Sequence, residues 1–356
     1  MHISEGVITG LPAAIYTAAA LCLMGGGARS MRRFAEGDPE KRPLLGMAGA
    51  FIFFVSLIPL PSFAGTCSHP CGSPLAGILL GPWIGVALTG LSLFLQAAFF
   101  AHGGFSTWGA NVVSLGVGGA FGGWLTFRLA RRAGCPLWLA GALGGLIGDL
   151  LTYLLAGLSL SAALANAPTP KFTFTGYLAA IYAAYLPVQG PIALGEMLIT
   201  GLALHYIHQQ RPGILMSLKV IDAGKRVLPG VLALILSVVL TLHAAAQPVV
   251  SAPSTASNGT PAAAVPLMAA SSAVPVKPTR MLGMDEAVNE RMAEHAGRAP
   301  RTPYVNTEAM GDVWNFILLG AGAACGFIVG RWWHLLFGRG PSADRTTPHA
   351  SDKEAS

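Results

Sequence analysis

The chain has 356 residues, of which 53% are hydrophobic and only 11% charged, and its mean hydropathy is +0.57. Soluble domains carry about a quarter charged residues, so the composition excludes a water-soluble protein and indicates an integral membrane protein. The net charge of +6 does not imply a nucleic-acid partner, because Lys and Arg cluster in short segments between apolar stretches. Five scattered cysteines are too few for a disulfide framework.

The chain begins Met1-His2-Ile3-Ser4-Glu5-Gly6. A free amino terminus followed by histidine can offer three nitrogens to one cation: the Met1 amine, the His2 amide and the His2 imidazole. Nitrogen donors in a plane suit Ni(II) or Cu(II), and in some sites Co(II), and another histidine could fill the remaining in-plane position. No basic segment of a cleavable signal precedes the first apolar stretch, so we expect Met1 to remain the terminus. An ordinary amino terminus is the alternative interpretation.

Two apolar stretches, 7–27 and 44–61, predict the first two membrane spans. The segment between them holds five basic residues and is therefore expected to be cytoplasmic by the positive-inside rule. This orientation places the amino terminus on the outer face. The loop after the second span carries His69, so His2 and His69 are predicted to share that face.

The region 73–127 is harder to thread through a membrane. Apolar stretches 75–101 and 110–127 flank the sequence His102-Gly-Gly. Two crossings would leave the following arginines outside, against the charge rule. We predict three short passes here, with a single pass or a re-entrant segment as alternatives.

Two more apolar stretches, 136–165 and 177–207, complete a predicted bundle of about seven helices in residues 1–215. Asp149 and Glu196 lie inside these stretches, where ionisable groups are costly and usually functional. Each is predicted either to make a structural hydrogen bond or to line a transport path. The polar residues Gln189 and Asn111 are candidates for orienting a ligand histidine.

Residues 216–340 are predicted to form a separate module of two spans, 227–242 and 313–330, joined by an external loop, 247–311. The first part of this loop is rich in Ala, Pro, Ser and Thr and is expected to be flexible. A short helix is predicted at Met284–His295. The polar tail, 341–356, is expected to be disordered. The predicted fold class is thus an all-α integral membrane protein with about seven transmembrane helices plus two C-terminal ones.

His69 lies between Cys67 and Cys71, and three donors at this spacing could hold zinc or copper. A Cys67–Cys71 disulfide, or two ordinary loop cysteines, is at least as consistent with an outer-face loop. His69 as the fourth nitrogen for the terminal chelate needs no assumption about redox state. His102 is a weaker candidate for a metal contact, because an ordinary loop histidine beside flexible glycines is the more frequent case.

Several catalytic motifs are absent from the sequence. It has no phosphate-binding loop, no zinc-peptidase motif and no serine-hydrolase motif. An enzyme is therefore not expected.

Five stretches together resemble the membrane substrate-binding subunit of cobalt and nickel energy-coupling-factor transporters, the CbiM/NikM family. They are Met1-His2-Ile3 with Glu5-Gly6, Gly65-Thr66-x-x-His69, Leu79-Leu-Gly-Pro-Trp83, His102-Gly-Gly with Gly109-Ala-Asn111, and Ala193-Leu-Gly-Glu196. The resemblance covers residues 1–210. It implies a helical bundle that takes Ni(II) or Co(II) from outside as its transported substrate. It also implies a near-planar metal site made by Met1, His2 and His69.

The resemblance further implies partners: a transmembrane coupling subunit and paired cytoplasmic ATPases. The 224–337 segment resembles the two-span accessory subunit (CbiN/NikN-like) of the same systems, which the resemblance implies is fused to the bundle. Two departures from the family pattern stand out: the cysteines around His69, and Val112-Val-Ser114 where family members usually have a second Asn.

The sequence thus predicts a non-catalytic, metal-binding component of an ATP-driven importer. It is expected to be integral to the plasma or inner membrane, surrounded by lipid, with an outer amino terminus, a cytoplasmic carboxyl terminus and no nucleic-acid partner. One alternative is a membrane metalloprotein or redox protein that uses Cys67, His69 and Cys71. Another is a structural or assembly subunit whose working part is the 247–311 loop.

Overall fold

The computed structural model describes residues 2–38, 41–57, 60–61, 66–100, 102–221, 282–283 and 285–301. The two predicted C-terminal spans, the flexible 247–280 linker and the polar tail lie outside these residues. The division into domains at residues 215 and 340 therefore stays a prediction.

The described residues are almost entirely helical, which confirms the all-α membrane fold. The helices are α1 (Gly10–Gly37), α2 (Arg42–Val55), α3 (Ser73–Leu80), α4 (Pro82–Phe99), α5 (Trp108–Asn111), α6 (Gly122–Arg132), α7 (Leu137–Ala165), α8 (Phe174–Gln210), α9 (Pro212–Ser217) and α10 (Arg291–His295). Two π-helical segments, Val112–Phe121 and Asp285–Glu290, lead into α6 and α10. A small sheet joins β1 (Leu60–Pro61), β2 (Thr66–Ser68) and β3 (Leu282–Gly283), with β2 central, antiparallel to β1 and parallel to β3.

Five helical stretches in the described residues are long and apolar enough to cross a membrane: α1, α4, the continuous helix Trp108–Arg132, α7 and α8. Large apolar side chains point away from the bundle, as a lipid-facing surface requires: Leu11 is 74% exposed and Leu186 is 71% exposed. The fourteen-residue α2 is a shorter apolar helix. The predicted total of about seven passes stays a prediction.

The region 73–127 contains three helical segments, but the first is too short to cross. α3 has eight residues and spans about 12 Å, less than half of a bilayer core. The chain reverses at Gly81, whose φ of +93° suits glycine, and α4 then runs back along α3 with Gly85 against Gly77. The helix Trp108–Arg132 is also long and apolar enough to cross a membrane. The prediction of three short passes is thus corrected to a short helix followed by two long ones.

The two ends of the bundle differ in chemistry. Helix α1 is about 42 Å long, starts just after the buried N-terminal residues and ends at a basic pocket. That pocket is lined by Arg33, Lys41 and Lys219 together with the end of α3. The end of α6 packs near α9 in one apolar cluster, so its arginines belong to the basic end as well.

Residues 285–295 are helical, which confirms the predicted helix at Met284–His295. Ala293 on this helix and Ala296 just after it are fully buried in the same apolar cluster as Leu164 of α7 and Tyr177 of α8. This part of the predicted external loop therefore packs against the bundle, a contact that no pattern in the sequence indicates.

Candidate metal centre

The N-terminal loop, residues 2–9, is buried in the bundle although it is rich in polar groups. His2 is fully buried and Ile3 is 1% exposed. The backbone of Ile3 is held on both sides by Asn111, since its N–H donates to Asn111 Oδ1 at 2.9 Å and Asn111 Nδ2 donates to its carbonyl at 3.2 Å. Thr107 Oγ1 also donates to that carbonyl at 2.6 Å. The residue after His2 is thus fixed by Thr107, just before α5, and by Asn111, the last residue of α5.

The His69 loop, residues 69–72, enters the middle of the bundle as non-helical backbone. Such backbone is tolerated at membrane depth only where protein groups satisfy it, and they do here. Tyr153 of α7 donates its hydroxyl to the His69 carbonyl at 3.0 Å. The Gly72 N–H donates to both carboxylate oxygens of Glu196 at 3.2 Å. Just before the loop, Gln189 Nε2 donates to Ser68 Oγ at 2.6 Å.

The His102 loop, residues 102–106, lies against the N-terminal loop. Glu5 Oε2 accepts from the Ser106 N–H at 3.1 Å, and the Gly6 N–H donates to Ser106 Oγ at 2.9 Å. A side chain at Gly104 would come within 2.5 Å of the Glu5 Cα. Glycine at this position is therefore required for the two loops to touch.

These three loops bring His2, His69 and His102 together. Their nitrogen donors lie within 4.8 Å of one another, and His102 Nε2 is 3.4 Å from His69 Nε2. The ring centroids of His2 and His69 are 4.9 Å apart, and those of His2 and His102 are 4.2 Å apart. Metal–imidazole bonds are about 2.0–2.1 Å long, so small side-chain shifts would let one ion reach all three rings.

The electrostatics of the site favour neutral imidazoles. Burial, reinforced by the nearby His102, lowers the pKa of His2 well below 6.5. Burial likewise lowers the pKa of His69. A neutral imidazole is the form that donates a lone pair to a metal.

His2 also has unmet hydrogen-bonding capacity. Among the described residues, neither of its ring nitrogens has a hydrogen-bond partner. Leaving a buried polar atom unpaired costs about 1–3 kcal/mol. A ligand that binds His2 would remove this cost.

The other predicted site residues fall into two groups. Met1 and the Cys67 side chain lie outside the described residues. Cys71 is described and buried, but its thiol donates to Asp149 Oδ1 at 3.0 Å, and it is not a member of the three-histidine group. His69 therefore lies with the other two histidines, whereas the Cys71 thiol is directed at the carboxylate of Asp149.

Some contributing residues were not anticipated from the sequence. Tyr153 and Thr107 gave no signal, because an aromatic residue in an apolar helix and a threonine in a loop are common. Asn111 and Gln189 were recognised as polar residues in apolar surroundings, and both hold loops of the site.

The 285–301 segment contacts the N-terminal loop from another side. The Arg301 N–H donates to the Glu5 carbonyl at 2.9 Å. Arg298 donates to the carbonyls of Val7 at 3.1 Å and Asn166 at 3.0 Å. These bonds tie a segment almost three hundred residues away in sequence to the loop that carries His2.

Comparison with known proteins relates this chain to a family of metal-uptake proteins. Residues 2–214 match the sequence model of a family described as the cobalt uptake substrate-specific transmembrane region, CbiM. The chain is 37% identical to the cobalt transport protein CbiM of Geobacter sulfurreducens, over 94% of this chain and 90% of that one. It is 41% identical to CbiM of Sorangium cellulosum, over 65% of this chain and 99% of that one.

A solved structure is also similar. The crystal structure of a truncated transition metal transporter superposes with a TM-score of 0.52 and 26% sequence identity. The superposition covers 59% of this chain and 99% of that one.

Proposed function

This chain belongs to the CbiM family of cobalt uptake substrate-specific transmembrane regions, and from that premise we propose that it captures Co(II) or Ni(II) at the outer face of the membrane. As a family member it is a membrane component of metal uptake. Cobalt is favoured as the substrate, because the similar proteins are named cobalt transport proteins. Nickel is the alternative, since planar nitrogen donors suit it well.

The observation that carries the proposal is the cluster of three histidines at the N-terminal loop, of which His2 and His69 are buried and His102 is half-buried. The proposed ligands are the Met1 amine, the His2 amide and imidazole, and the His69 imidazole. The Asn111 hydrogen bonds to Ile3 would hold the His2 end of the chelate in place. The Tyr153 hydrogen bond would hold the backbone of His69.

The proposed orientation puts the metal site outside. The basic pocket at the far end of α1, with Arg33, Lys41 and Lys219, supports a cytoplasmic position for that end. The N-terminal loop, at the start of α1, would then face outward.

Release of the ion inward requires energy that this chain has no motif to supply. The sequence lacks a phosphate-binding loop. We therefore propose that a transmembrane coupling subunit and cytoplasmic ATPases drive the release, and that residues 216–340 act as a two-span accessory module.

The alternative of a redox protein built on Cys67, His69 and Cys71 finds no support in the described geometry. The Cys71 thiol is bonded to Asp149 rather than directed at the histidines. The idea of a purely structural subunit finds none either, because it does not account for three histidines converging in a buried site.

The test is titration of the purified full-length protein with CoCl₂ and NiCl₂, after intact-mass analysis has shown whether Met1 is retained. A variant with two glutamines inserted between Met1 and His2 keeps every side chain but moves the amine away from the His2 donors. We expect it to lose tight binding of both ions. A protein with the same two glutamines added after Ser356 serves as the matched control. Unchanged affinity in the insertion variant would remove the amino terminus from the site.

A further inference from the structure

The basic pocket lies at the end of α1 opposite to the N-terminal loop. Its volume is about 330 Å³, within the range of about 300–1,000 Å³ that small-ligand sites have. Four parts of the chain line it: the last turns of α1, the connection from α1 to α2, the end of α3, and the residues at the end of α9. A ligand bound in this pocket would contact all four.

The described residues that line the pocket carry three positive charges and one negative charge. The positive ones are Arg33, Lys41 and Lys219, and the negative one is Asp38. Lys41 Nζ lies 2.8 Å from Asp38 Oδ2, so these two charges offset each other. Arg33 and Lys219 are exposed and have no acidic partner among the described residues. The pocket therefore has two positive charges available for an anion.

The backbone at Lys219 is independent evidence that the lysine side chain has a role. Among the described residues, Lys219 is the only one other than glycine with a positive φ, which is +58°. Its N–H donates to the Met216 carbonyl at 3.0 Å, and the Val220 N–H donates to the Leu215 carbonyl at 2.9 Å. This is the hydrogen-bond pattern of a helix end whose left-handed position is usually glycine. Glycine would adopt this conformation without strain, so the fold does not account for a lysine here.

The pocket lies at the level where lipid headgroups are expected. Residues 10–28 of α1 carry no charge and extend over about 28 Å, close to the thickness of a hydrocarbon core, about 30 Å. Arg33 follows about one turn after Arg29, the first charged residue of α1. Apolar side chains line the same pocket: Phe34, Leu79, Leu80 and Leu218. Positive and apolar groups together suit a phospholipid, which joins a phosphate to acyl chains, better than a free phosphate.

We propose that the basic pocket binds the headgroup of an anionic phospholipid, whose phosphate contacts Arg33 and Lys219. Charge-assisted hydrogen bonds from Lys and Arg to phosphate are strong, and basic pockets between membrane helices bind anionic headgroups. A zwitterionic lipid offsets its phosphate with its own ammonium group, so the net positive charge of the pocket favours an anionic lipid. The bound lipid joins the end of α1 to the end of α9, and it does so independently of the metal site.

The first test adds three compounds separately to delipidated full-length protein in a neutral detergent. They are dioleoyl phosphatidylglycerol, dioleoyl phosphatidylcholine and sodium phosphate, at equal concentrations. Phosphatidylglycerol is expected to raise the midpoint temperature of thermal unfolding by several degrees, because it binds the folded state. The other two should raise it little or not at all.

Each of the other outcomes of this test contradicts the proposal. Equal shifts with the two lipids would show that headgroup charge does not matter. A shift with sodium phosphate as large as that with phosphatidylglycerol would show that the pocket takes a free anion. No shift with any of the three would leave an acidic surface of a partner protein as the occupant.

The second test measures the affinity of two variants for phosphatidylglycerol by native mass spectrometry. Lys219→Gly keeps the hydrogen-bonded end of α9, so the lipid-free variant should be as stable as the native protein or more so. Arg33→Gln changes an exposed residue of α1 and should fold normally. Each variant is expected to bind phosphatidylglycerol about fivefold more weakly. Unchanged affinity in both would overturn the proposal.

Arg32→Gln is the matched control. It removes the same charge one residue away, from an exposed side chain that pairs with Glu36 and does not line the pocket. Its affinity for phosphatidylglycerol should equal that of the native protein. A loss as large as in Arg33→Gln would mean that the lipid responds to the overall charge of this surface and not to a defined site.

Discussion

Asn111 is the residue on which the position of the N-terminal loop most depends. Its amide group both accepts from and donates to the backbone of Ile3, and all these atoms are buried. A side chain that cannot make these bonds leaves a buried N–H unpaired, next to the residue that carries the proposed chelate.

Asn111→Leu is therefore expected to destabilise the protein by about 1–3 kcal/mol and to weaken cobalt binding. Denaturation monitored by fluorescence and cobalt titration would measure the two effects. Gln209→Leu, at an exposed residue of α8 whose side-chain amide bonds to His205 in the same helix, is the control. Full cobalt affinity in Asn111→Leu would show that the loop does not need this anchor.

The burial of the His2 and His69 imidazoles predicts how the free energy of unfolding depends on pH. Burial lowers the pKa of His2 and His69 below the ordinary value of 6.5. The unfolded chain therefore binds more protons than the folded one once the pH falls through that value, so acid lowers the free energy of unfolding.

In chelator-treated protein we expect the midpoint temperature of thermal unfolding to be lower at about pH 5.5 than at about pH 7.5. His2→Phe removes one of the two groups and should reduce this dependence, and the difference between the two proteins isolates the contribution of that imidazole. At neutral pH the variant should be as stable as the native protein or more so, because the unpaired ring nitrogens are gone. If the thermal midpoint of His2→Phe depends on pH as strongly as that of the native protein, the His2 imidazole does not contribute to the dependence.

At the scale of elements, close contact between helices positions the site. Gly109, at the start of α5, lies directly against the backbone of Tyr16 and Thr17 in α1. Membrane helices approach closely where small residues meet. This contact sets how near α5 comes to the N-terminal loop, together with Thr107 just before it and Asn111 at its end.

Gly109→Ala should destabilise the protein by about 1–3 kcal/mol, because the added methyl group overlaps backbone that cannot move aside. Gly46→Ala, on the exposed face of α2 where a methyl group meets nothing, should be neutral or stabilising by up to about 1 kcal/mol. Thermal unfolding of both variants in the same detergent provides the measurement. Similar midpoints for the two variants would argue against close packing of α1 and α5.

At the scale of the whole molecule, the 285–301 segment links the late part of the chain to its beginning. Asn289 is fully buried and its Oδ1 accepts from the Tyr185 hydroxyl of α8 at 2.7 Å. Two buried alanines complete the interface, together with hydrogen bonds from the Arg301 N–H to the Glu5 carbonyl and from the Arg298 guanidinium to the Val7 carbonyl. The stability of the N-terminal loop therefore depends on residues outside the 2–214 segment that matches the family.

Ala293→Gln, which places a larger polar side chain in this interface, is expected to loosen the N-terminal loop. Hydrogen–deuterium exchange of residues 2–8 should become faster, and cobalt affinity should fall. Glu294→Gln changes the exposed neighbour of Ala293 and should alter neither. Protection of residues 2–8 that is unaffected by Ala293→Gln would mean that the segment contributes nothing to their stability.

The sequence by itself determined the membrane class, the spans that became α1, α7 and α8, and the candidates His2 and His69. These follow from local properties: long apolar stretches, the distribution of basic residues, and donors adjacent along the chain. The short helix at 285–295 was predicted on the same kind of local information. The family resemblance, read from short motifs, was confirmed over residues 2–214.

Only the tertiary structure decided the rest. His102 joined the other histidines because a reversal at Gly81 and a loop after α4 return it to them, and no local pattern states where such a loop ends in space. Cys71 turned to Asp149, about eighty residues away, and Arg298 reached the carbonyl of Val7 across nearly the whole chain. Contacts between residues so distant in sequence depend on how the helices pack, which is a property of the folded chain as a whole.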